Sequence, residues 1–496
     1  WRNQKLEEAR KLISACLALY TEAIASDFSA TPGETVAIAV ELTNRSEIPV
    51  VLRSISFFPT GRDTLLSLPL ANNKPFKGKF TLQLPEDLSV TNPYWLNETP
   101  QLGQYIVADP QMIGKPETPR TTRLVYHLDV GGLTLDIEDE LCFKKGDPVA
   151  GEVFRPFEIT PPVFASIDNP VYVFTTANPQ KVDMVVKSGK ANVKGQAKLG
   201  LPEGWRSEPA SVDFEIALKG AEERFSFMLY PPAQTSEGFA RPEIRVEGKI
   251  YNKSVQLIEY EHFPVQTMLK DAAAKILKID LKIAGEKLGY IMGAGDEIPT
   301  ALHQMGYEVN IIAPETLGQT DFSAFDAMVV GIRAYNTVEA LKFHQPRLLE
   351  YVKNGGTLVV QYNTNRGLVI PDKEIGPWPM ELGRDRVTKE DAEVRFLIPD
   401  HPLLNYPNKI TSRDFEGWVQ ERGLYFVSNW DERYQALFSA NDPGETPKNG
   451  ALLVTEYGKG HFIYSGLSWF RELPAGVSGA FRLFANLVSL GNAEKP

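Results

Sequence analysis

Cysteine is the scarcest residue of the chain: among 496 residues there are two, Cys16 and Cys142. Two thiols cannot build a disulfide framework or the cage of a structural zinc site. Both stand in apolar surroundings, Cys16 on a helical stretch and Cys142 after "LTLDIEDEL", so buried small hydrophobes are expected rather than a bridge. Histidine is nearly as sparse. His127, His262, His303, His344, His401 and His461 show no HxH or HxxxH spacing, and no metal or other cofactor is expected. Basic charge is in deficit, with 52 Lys and Arg against 63 Asp and Glu, a net charge of -11 and a pI near 5.3. That balance argues against nucleic acid or an anionic membrane surface as the main partner. Long apolar runs are missing too. The N-terminal run Leu12 to Tyr20 is broken by Ser14 and falls far short of the roughly 20 residues that cross a bilayer, so no membrane span is expected. The chain opens on Trp1 and runs into "NQKLEEARKLISACLALY" without a signal-type apolar region or cleavage site, and reads as a fragment or a processed chain.

What is there suits folded domains. With 43% hydrophobic and 23% charged residues, disorder is not the default, and the length allows roughly three domains of about 150 residues. Leu6, Ala9, Ile13, Cys16 or Leu17, and Tyr20 recur at helical spacing, which predicts an amphipathic helix over residues 1–20 that packs on a neighbour. From Thr21 the period becomes two. Val36, Ile38, Val40 and Leu42 alternate with small or polar residues, and "RLVYHLDVGGLTLDIED" reads as a hairpin around Gly131 and Gly132 with Leu133, Leu135 and Ile137 on one face. These strands predict an antiparallel β-sandwich over 21–157. A second one is expected over 158–267, from the alternation of Ala197, Leu199 and Leu201, of Phe214, Ile216 and Leu218, and of Phe225, Phe227 and Leu229.

Residues 268–285 read as a helical or charged linker. Beyond it, over 286–496, strand-like and helix-like segments alternate: "KLGYIMG", "AGDEIPTALHQMG", "YEVNIIA", "FDAMVVGI", "TVEALKFHQPRLLEYVKNGG", "TLVVQYN". Such alternation predicts parallel βαβ units in a doubly wound sheet, with any ligand crevice at the carboxyl ends of the strands.

The candidate site follows from that rule. After the fourth strand a nucleophilic hydrolase would carry a hydroxyl or thiol with a histidine in reach. Here stand Gln361, Tyr362 and Asn363, the C-terminal domain has no cysteine, and Thr364 and Ser465 lack a Gly-x-Ser-x-Gly context. A phenol with a pKa of about 10 is a poor nucleophile, so no catalytic residue is assigned. The "GAGDE" from Gly293 to Glu297 lacks the third glycine of a dinucleotide loop, and Asp296 and Glu297 would repel a pyrophosphate there. Asp296 as a helix cap and Glu297 as a dipole partner is the plainer reading, with both on the crevice side. Arg333 and Tyr335 follow the third strand; Asn363, Asn365 and Arg366 follow the fourth. Convergence at one rim would suit a sugar or another hydroxyl-rich ligand, and solvated loops are the alternative. His401 precedes Pro402, Leu403 and Leu404, without the carboxylates of a His-Pro-Asp-Asp zinc deacetylase motif, and is expected to cap structure. A rival arrangement makes 286–496 a thiol-independent hydrolase or isomerase using Asp296, Glu297 or His401 as acid or base. A bare structural spacer is the third.

Three stretches carry family resemblances. "LGLPEGWRSEPASVDFEIALKGAEERFSFMLYPP" resembles the immunoglobulin-like module found beside carbohydrate-binding domains and α-galactosidases. Residues 286–496, with "GGTLVV", "IPDHPLLNYPNKI" and "GALLVTEYGKGHFIYSGLSWF", resemble class I glutamine amidotransferase-like domains, including the trehalose-utilisation type. Where that family has its cysteine this chain has Tyr362 or Asn363, so no triad carries over. Together with "NPYWLNE" and "GLSWFRELPAG", the whole is similar to the C-terminal region of large bacterial PIG-L (LmbE-like) deacetylases. The resemblance implies two immunoglobulin-like sandwiches followed by a flavodoxin-like, amidotransferase-like domain. It also implies an upstream zinc-dependent N-deacetylase domain as partner, a glycan ligand of N-acetylglucosamine type, and a periplasmic or extracellular location.

Overall fold

In the computed structural model, which describes residues 1–101 and 103–493, strand alternation builds two sandwiches. The last three residues of the span 286–496 lie outside those described. In the first sandwich, five strands run in the spatial order Gly151–Pro156, Cys142–Asp147, Tyr20–Ala25, Thr35–Thr43 and Phe76–Gln83. Facing them is a sheet ordered Arg62–Leu70, Val50–Phe58, Arg123–Val130 and Leu133–Glu140. Val36, Ile38, Val40 and Leu42 meet Leu52, Ile55, Leu124, Tyr126 and Leu128 between the sheets. Gly131 and Gly132 take positive φ values of 55° and 91° in the two-residue turn that pairs Val130 with Leu133. Of the three residues expected on one face of the next strand, Leu135 is buried while Leu133 overhangs into solvent at the turn.

The edges of this body differ from expectation. The first helix is Arg2–Cys16, and residue 20 already opens a strand. Leu6, Leu12 and Ile13 are exposed, so most of its apolar stripe is uncovered in this chain, while Leu17, just past the helix end, is buried in the first core. Cys16 is exposed as well, against the expected burial, because it lies on that same uncovered helix. Cys142 is half-buried, its thiol pushed up to about 11 by burial. Phe157 and Ile159 both belong to the first core, and Glu158–Ile159 pairs in parallel with Ser29–Ala30. The first body therefore reaches past residue 157.

The second sandwich packs a sheet of Val163–Ile167, Gln180–Ser188, Glu222–Tyr230 and Arg206–Glu208 against a second sheet. That sheet is ordered Val171–Phe174, Ala274–Lys278, Ser236–Val246, Val193–Gly200 and Val212–Ile216. Trp205, from "LPEGW", is buried edge-on to Phe174 and donates to Ser236 Oγ at 3.1 Å. The segment expected to be a linker corrects the domain reading. Phe263–Asp271 and Ala274–Lys278 are both strands, and the latter sits between Val171–Phe174 and Ser236–Val246. "AKILK" sends Ala274 and Ile276 into the sandwich core and Leu277 to the other face. There Leu277 and Ile279 join Val171 and Val173 in the core of the third body. The second and third bodies thus share buried apolar surface, which holds them in one arrangement.

The third body is a seven-stranded sheet. Its order is Glu308–Ile311, Lys287–Ile291, Ala327–Val330, Thr357–Gln361, Gly460–Ser465, Leu452–Tyr457 and Gln435–Ala436. The first five are parallel to one another, Leu452–Tyr457 runs antiparallel to them, and Gln435–Ala436 runs antiparallel to Leu452–Tyr457. Alternate side chains feed two cores. Leu288, Tyr290, Val329 and Val359 pack with the helices Ile298–Met305 and Ser478–Ser489, whereas Met328, Val330, Leu358 and Val360 pack with Leu341–Lys353. Among the described residues, no helix is long and apolar enough to cross a membrane, and no cluster of His, Cys, Asp and Glu is arranged to hold a metal ion.

Candidate functional site at the strand-end rim

The loops after Lys287–Ile291 and Ala327–Val330 touch backbone to backbone. A Cβ added to Gly293 would come within 2.0 Å of the Ile332 carbonyl oxygen, so this glycine serves loop contact rather than a phosphate. Ala294 N–H donates to Ile332 O at 2.9 Å. Asp296, half-buried beside that contact, accepts from Tyr290 Oη at 2.8 and 2.9 Å and from Ile298 N–H at 3.1 Å. The expected helix cap is shifted by one residue: the N-cap position is Glu297, without a side-chain cap bond, and Asp296 stands just before it, holding the first helical N–H. Burial raises its carboxyl above the ordinary range, and the donated hydrogen bonds pull it part of the way back. Glu297 is exposed and accepts from Thr300 Oγ1 at 3.2 Å.

A sharp strand-to-helix turn does exist, one strand earlier than expected. It holds Arg333, whose φ of 53° is left-handed, and whose N–H donates to Tyr362 O at 2.8 Å. Its side chain is exposed. Tyr335, expected at the rim, is instead fully buried and donates to Gln345 Oε1 at 2.6 Å, because the short helix Ala334–Thr337 turns it into the core.

After Thr357–Gln361 the chain is tied down residue by residue. Gln361 is fully buried; its Nε2 donates to Tyr290 Oη at 2.9 Å while its Oε1 has no partner. Asn363, also fully buried, accepts from Tyr335 N–H at 2.9 Å, donates to Gln361 O at 2.9 Å, and gives its own N–H to Tyr464 Oη at 3.2 Å. Its amide is therefore structural. Tyr362 is 7% exposed, stacked on Tyr425 at 6.2 Å and against Phe470 at 5.3 Å. Burial raises its phenol, opposed by the charges of Arg333 and Arg471. Asn365 is half-buried and Arg366 exposed, on a loop held by Asn336 Nδ2 donating to the carbonyls of Thr364 and Arg366 at 3.1 and 2.9 Å.

His401 lies elsewhere. Its Nδ1 accepts from Leu403 N–H at 3.1 Å as a cap, and it shares a cavity of about 570 Å³ with His461. His461 pairs with Thr357 at the amino end of the parallel strands, the edge opposite the rim. Burial, then the neighbouring His461, lowers the His401 imidazole pKa. Hydrogen bonds join the loops of Asp296, Arg333, Tyr362 and Asn363 at the rim, Asn365 and Arg366 follow on the same loop as Asn363, Glu297 lines a cleft toward the second sandwich, and Tyr335 and His401 lie away from the rim.

Two polar groupings have no mark in the sequence pattern. Glu472 is fully buried, accepts from Val419 N–H at 2.9 Å and Ser468 Oγ at 3.2 Å, and is pushed up to about 8 by burial. On the first sandwich, Ser56 Oγ lies 2.7 Å from His127 Nε2, and His127 Nδ1 lies 2.8 Å from Asp136 Oδ1. The Ser56 hydroxyl also donates to Asp63. All four stand on adjacent strands, and Ser56 is paired on both sides, with Asp63 and with Val125. Strand pairing leaves no pair of amides free to stabilise an oxyanion, so this is a cross-strand polar ladder. The partners are 71 and 9 residues apart, a spacing that no periodicity marks.

No family model matches the chain, and no curated relative matches it. Among solved structures it is similar to red sea bream transglutaminase, at 11% identity over 53% of this chain and 31% of that one, with a TM-score of 0.22. The α2-macroglobulin of E. coli matches at 9% identity over 54% of this chain and 18% of that one, at 0.18. The Pseudomonas fluorescens DNA glycosylase AlkC matches at 16% identity over 25% and 30%, at 0.13. The chain spans less than a third of each of these proteins, and likeness of this degree carries no argument.

Proposed function

We propose that this chain is a non-catalytic accessory region of a carbohydrate-directed deacetylase of the PIG-L type. On this reading two immunoglobulin-like sandwiches and a flavodoxin-like, amidotransferase-like domain serve glycan contact, substrate presentation or docking of an upstream zinc-dependent N-deacetylase domain, in an exported protein. One observation carries the non-catalytic part. At the strand end where an amidotransferase-like domain would hold its thiol, Tyr362 is packed between Tyr425 and Phe470, and both flanking amides are committed to internal hydrogen bonds.

The carbohydrate direction rests on the motifs "LPEGW", "NPYWLNE" and "GLSWFRELPAG". The thiol-independent hydrolase is disfavoured, since Asp296 is engaged by Tyr290 and by the helix start, and His401 stands at the other edge of the sheet. The test is acetate and ammonia release by the purified chain from N-acetylglucosamine oligomers and glutamine, with glycan-array binding in parallel. Glycan binding without release is the expected result. Release by the chain itself would overturn the reading.

A further inference from the structure

Left-handed backbone is uncommon for a residue with a Cβ, and for a bulky one it persists only where the surrounding structure holds it. Among the described residues of the third body three non-glycine positions take it: Arg333 at a φ of 53°, Gln420 at 67° and Tyr425 at 51°. They are distant in the chain, yet all three gather around Tyr362. Arg333 N–H donates to Tyr362 O at 2.8 Å. Tyr425 stacks on the Tyr362 ring at 6.2 Å. Gln420 Oε1 accepts from Arg471, whose guanidinium lies 4.8 Å over Phe470, and Phe470 packs on Tyr362 at 5.3 Å.

These turns present a set of donors. Tyr425 and Phe470 cover the Tyr362 ring, but its hydroxyl has no hydrogen-bond partner among the described residues and is not sealed from solvent. The Arg333 side chain is exposed and makes no ion pair or hydrogen bond among the described residues. Arg471 gives Nε to Glu421 at 3.1 Å and Nη1 to Gln420, which leaves Nη2 without a partner among them. Both positive charges act on the Tyr362 hydroxyl. Glu421 acts there too, but it is 3% exposed and its charge is shared between Arg386 at 2.7 Å and Arg471. Two guanidinium groups and a phenol thus offer donors and positive charge in a chain whose net charge is -11. Such donors match the oxygens of a carboxylate or a phosphate, which a guanidinium holds by charge-assisted hydrogen bonds. The place is also where an open parallel sheet takes its ligands, outside the carboxyl ends of the strands.

We propose that this rim binds the oxyanion group of a small carboxylate or phosphate ligand, held by Arg333 and Arg471 with the Tyr362 hydroxyl as a neutral third donor. The left-handed turns at Arg333, Gln420 and Tyr425 fix those donors in place. Every donor named lies in the structure itself, so the site stands or falls apart from the carbohydrate-directed reading. The rim is open and solvent screens its charges, so the affinity is on the order of millimolar.

The experiment is calorimetric titration of the whole chain at pH 7 and constant ionic strength with inorganic phosphate, succinate and glucose. Saturable binding of phosphate or succinate, and none of glucose, is expected; the tighter of the two anions tells the phosphate source from the carboxylate one. R333Q should weaken binding roughly tenfold, and Y362F, which keeps the packed ring and removes only the hydroxyl, roughly three- to fivefold, both at an unchanged melting temperature. R333G, which suits the left-handed backbone, should weaken binding as R333Q does without lowering the melting temperature. R62Q, the same loss of charge at an exposed position on the first sandwich, should leave the affinity unchanged. No saturable anion binding, glucose binding as tight as the anions, R62Q weakening binding as much as R333Q, or insensitivity to both R333Q and Y362F would each overturn the proposal. Acetate release by the chain would instead overturn the accessory reading and leave this titration standing.

Discussion

Two regions of the molecule each hold half of what a hydrolase needs. The first sandwich carries the connectivity: serine to imidazole to carboxylate at 2.7 and 2.8 Å, on adjacent antiparallel strands, with the strand of Ser56 paired on both sides. The rim of the third body has the location, carboxyl ends of parallel strands with a left-handed turn at Arg333, yet an arginine stands in that turn and a packed tyrosine follows the next strand. Hydrogen-bond connectivity without oxyanion donors is a ladder, and a crevice without a nucleophile is a scaffold. Chemistry requires both in one place.

The strongest way to break this comparison is at Asn363, which the rim uses as structure. Asn363→Ala leaves the buried Tyr335 N–H unpaired and should cost about 3 kcal/mol in urea unfolding. A loss under about 0.5 kcal/mol would mean the amide is free for a ligand after all. Next is pH. Burial raises the Glu472 carboxyl to about 8, so the folded protein holds a proton that the unfolded chain has released. Stability from this group is complete below the ordinary carboxylate range and falls as pH climbs to about 8. On the order of 4 kcal/mol should be lost between about pH 5 and about pH 9, and Glu472→Gln should flatten that slope, read as melting temperature against pH. An unchanged slope in the variant would place the titration elsewhere.

Ser56→Ala sharpens the other side. Loss of the cross-strand hydroxyl should cost about 1 kcal/mol while p-nitrophenyl acetate turnover stays at the solvent background in both proteins. Turnover that disappears with Ser56 would make the ladder an active site. The smallest effect belongs to the uncovered helix: Leu12→Glu, at a 66% exposed position, should change stability by less than about 0.5 kcal/mol. A larger loss would show that the stripe is covered in solution.

Much of the strand pattern was readable because alternation is local. Val36, Ile38, Val40 and Leu42 announce a buried face with no knowledge of the partner sheet. "AKILK" was not readable as a central strand, since five residues with two lysines look like connector until Val171–Phe174 and Ser236–Val246 flank them. At the rim, residue order after each strand placed Asp296, Arg333, Tyr362 and Asn363 together. It could not show that one helical turn carries Tyr335 inward, or that His401 returns to the amino end of the sheet.

By itself, then, the sequence determined the elements and the chemistry it excludes: few thiols, no long apolar span, alternating strands first and strand–helix alternation afterwards. Those are properties of composition and short-range period. Tertiary structure alone decided which polar groups meet, Ser56 with His127 and Asn363 with the Tyr335 N–H among them, and which amides are already spent. The reason is physical: a hydrogen bond between residues far apart in the chain depends on sheet register and domain packing, and neither is encoded in the spacing of the residues that make it.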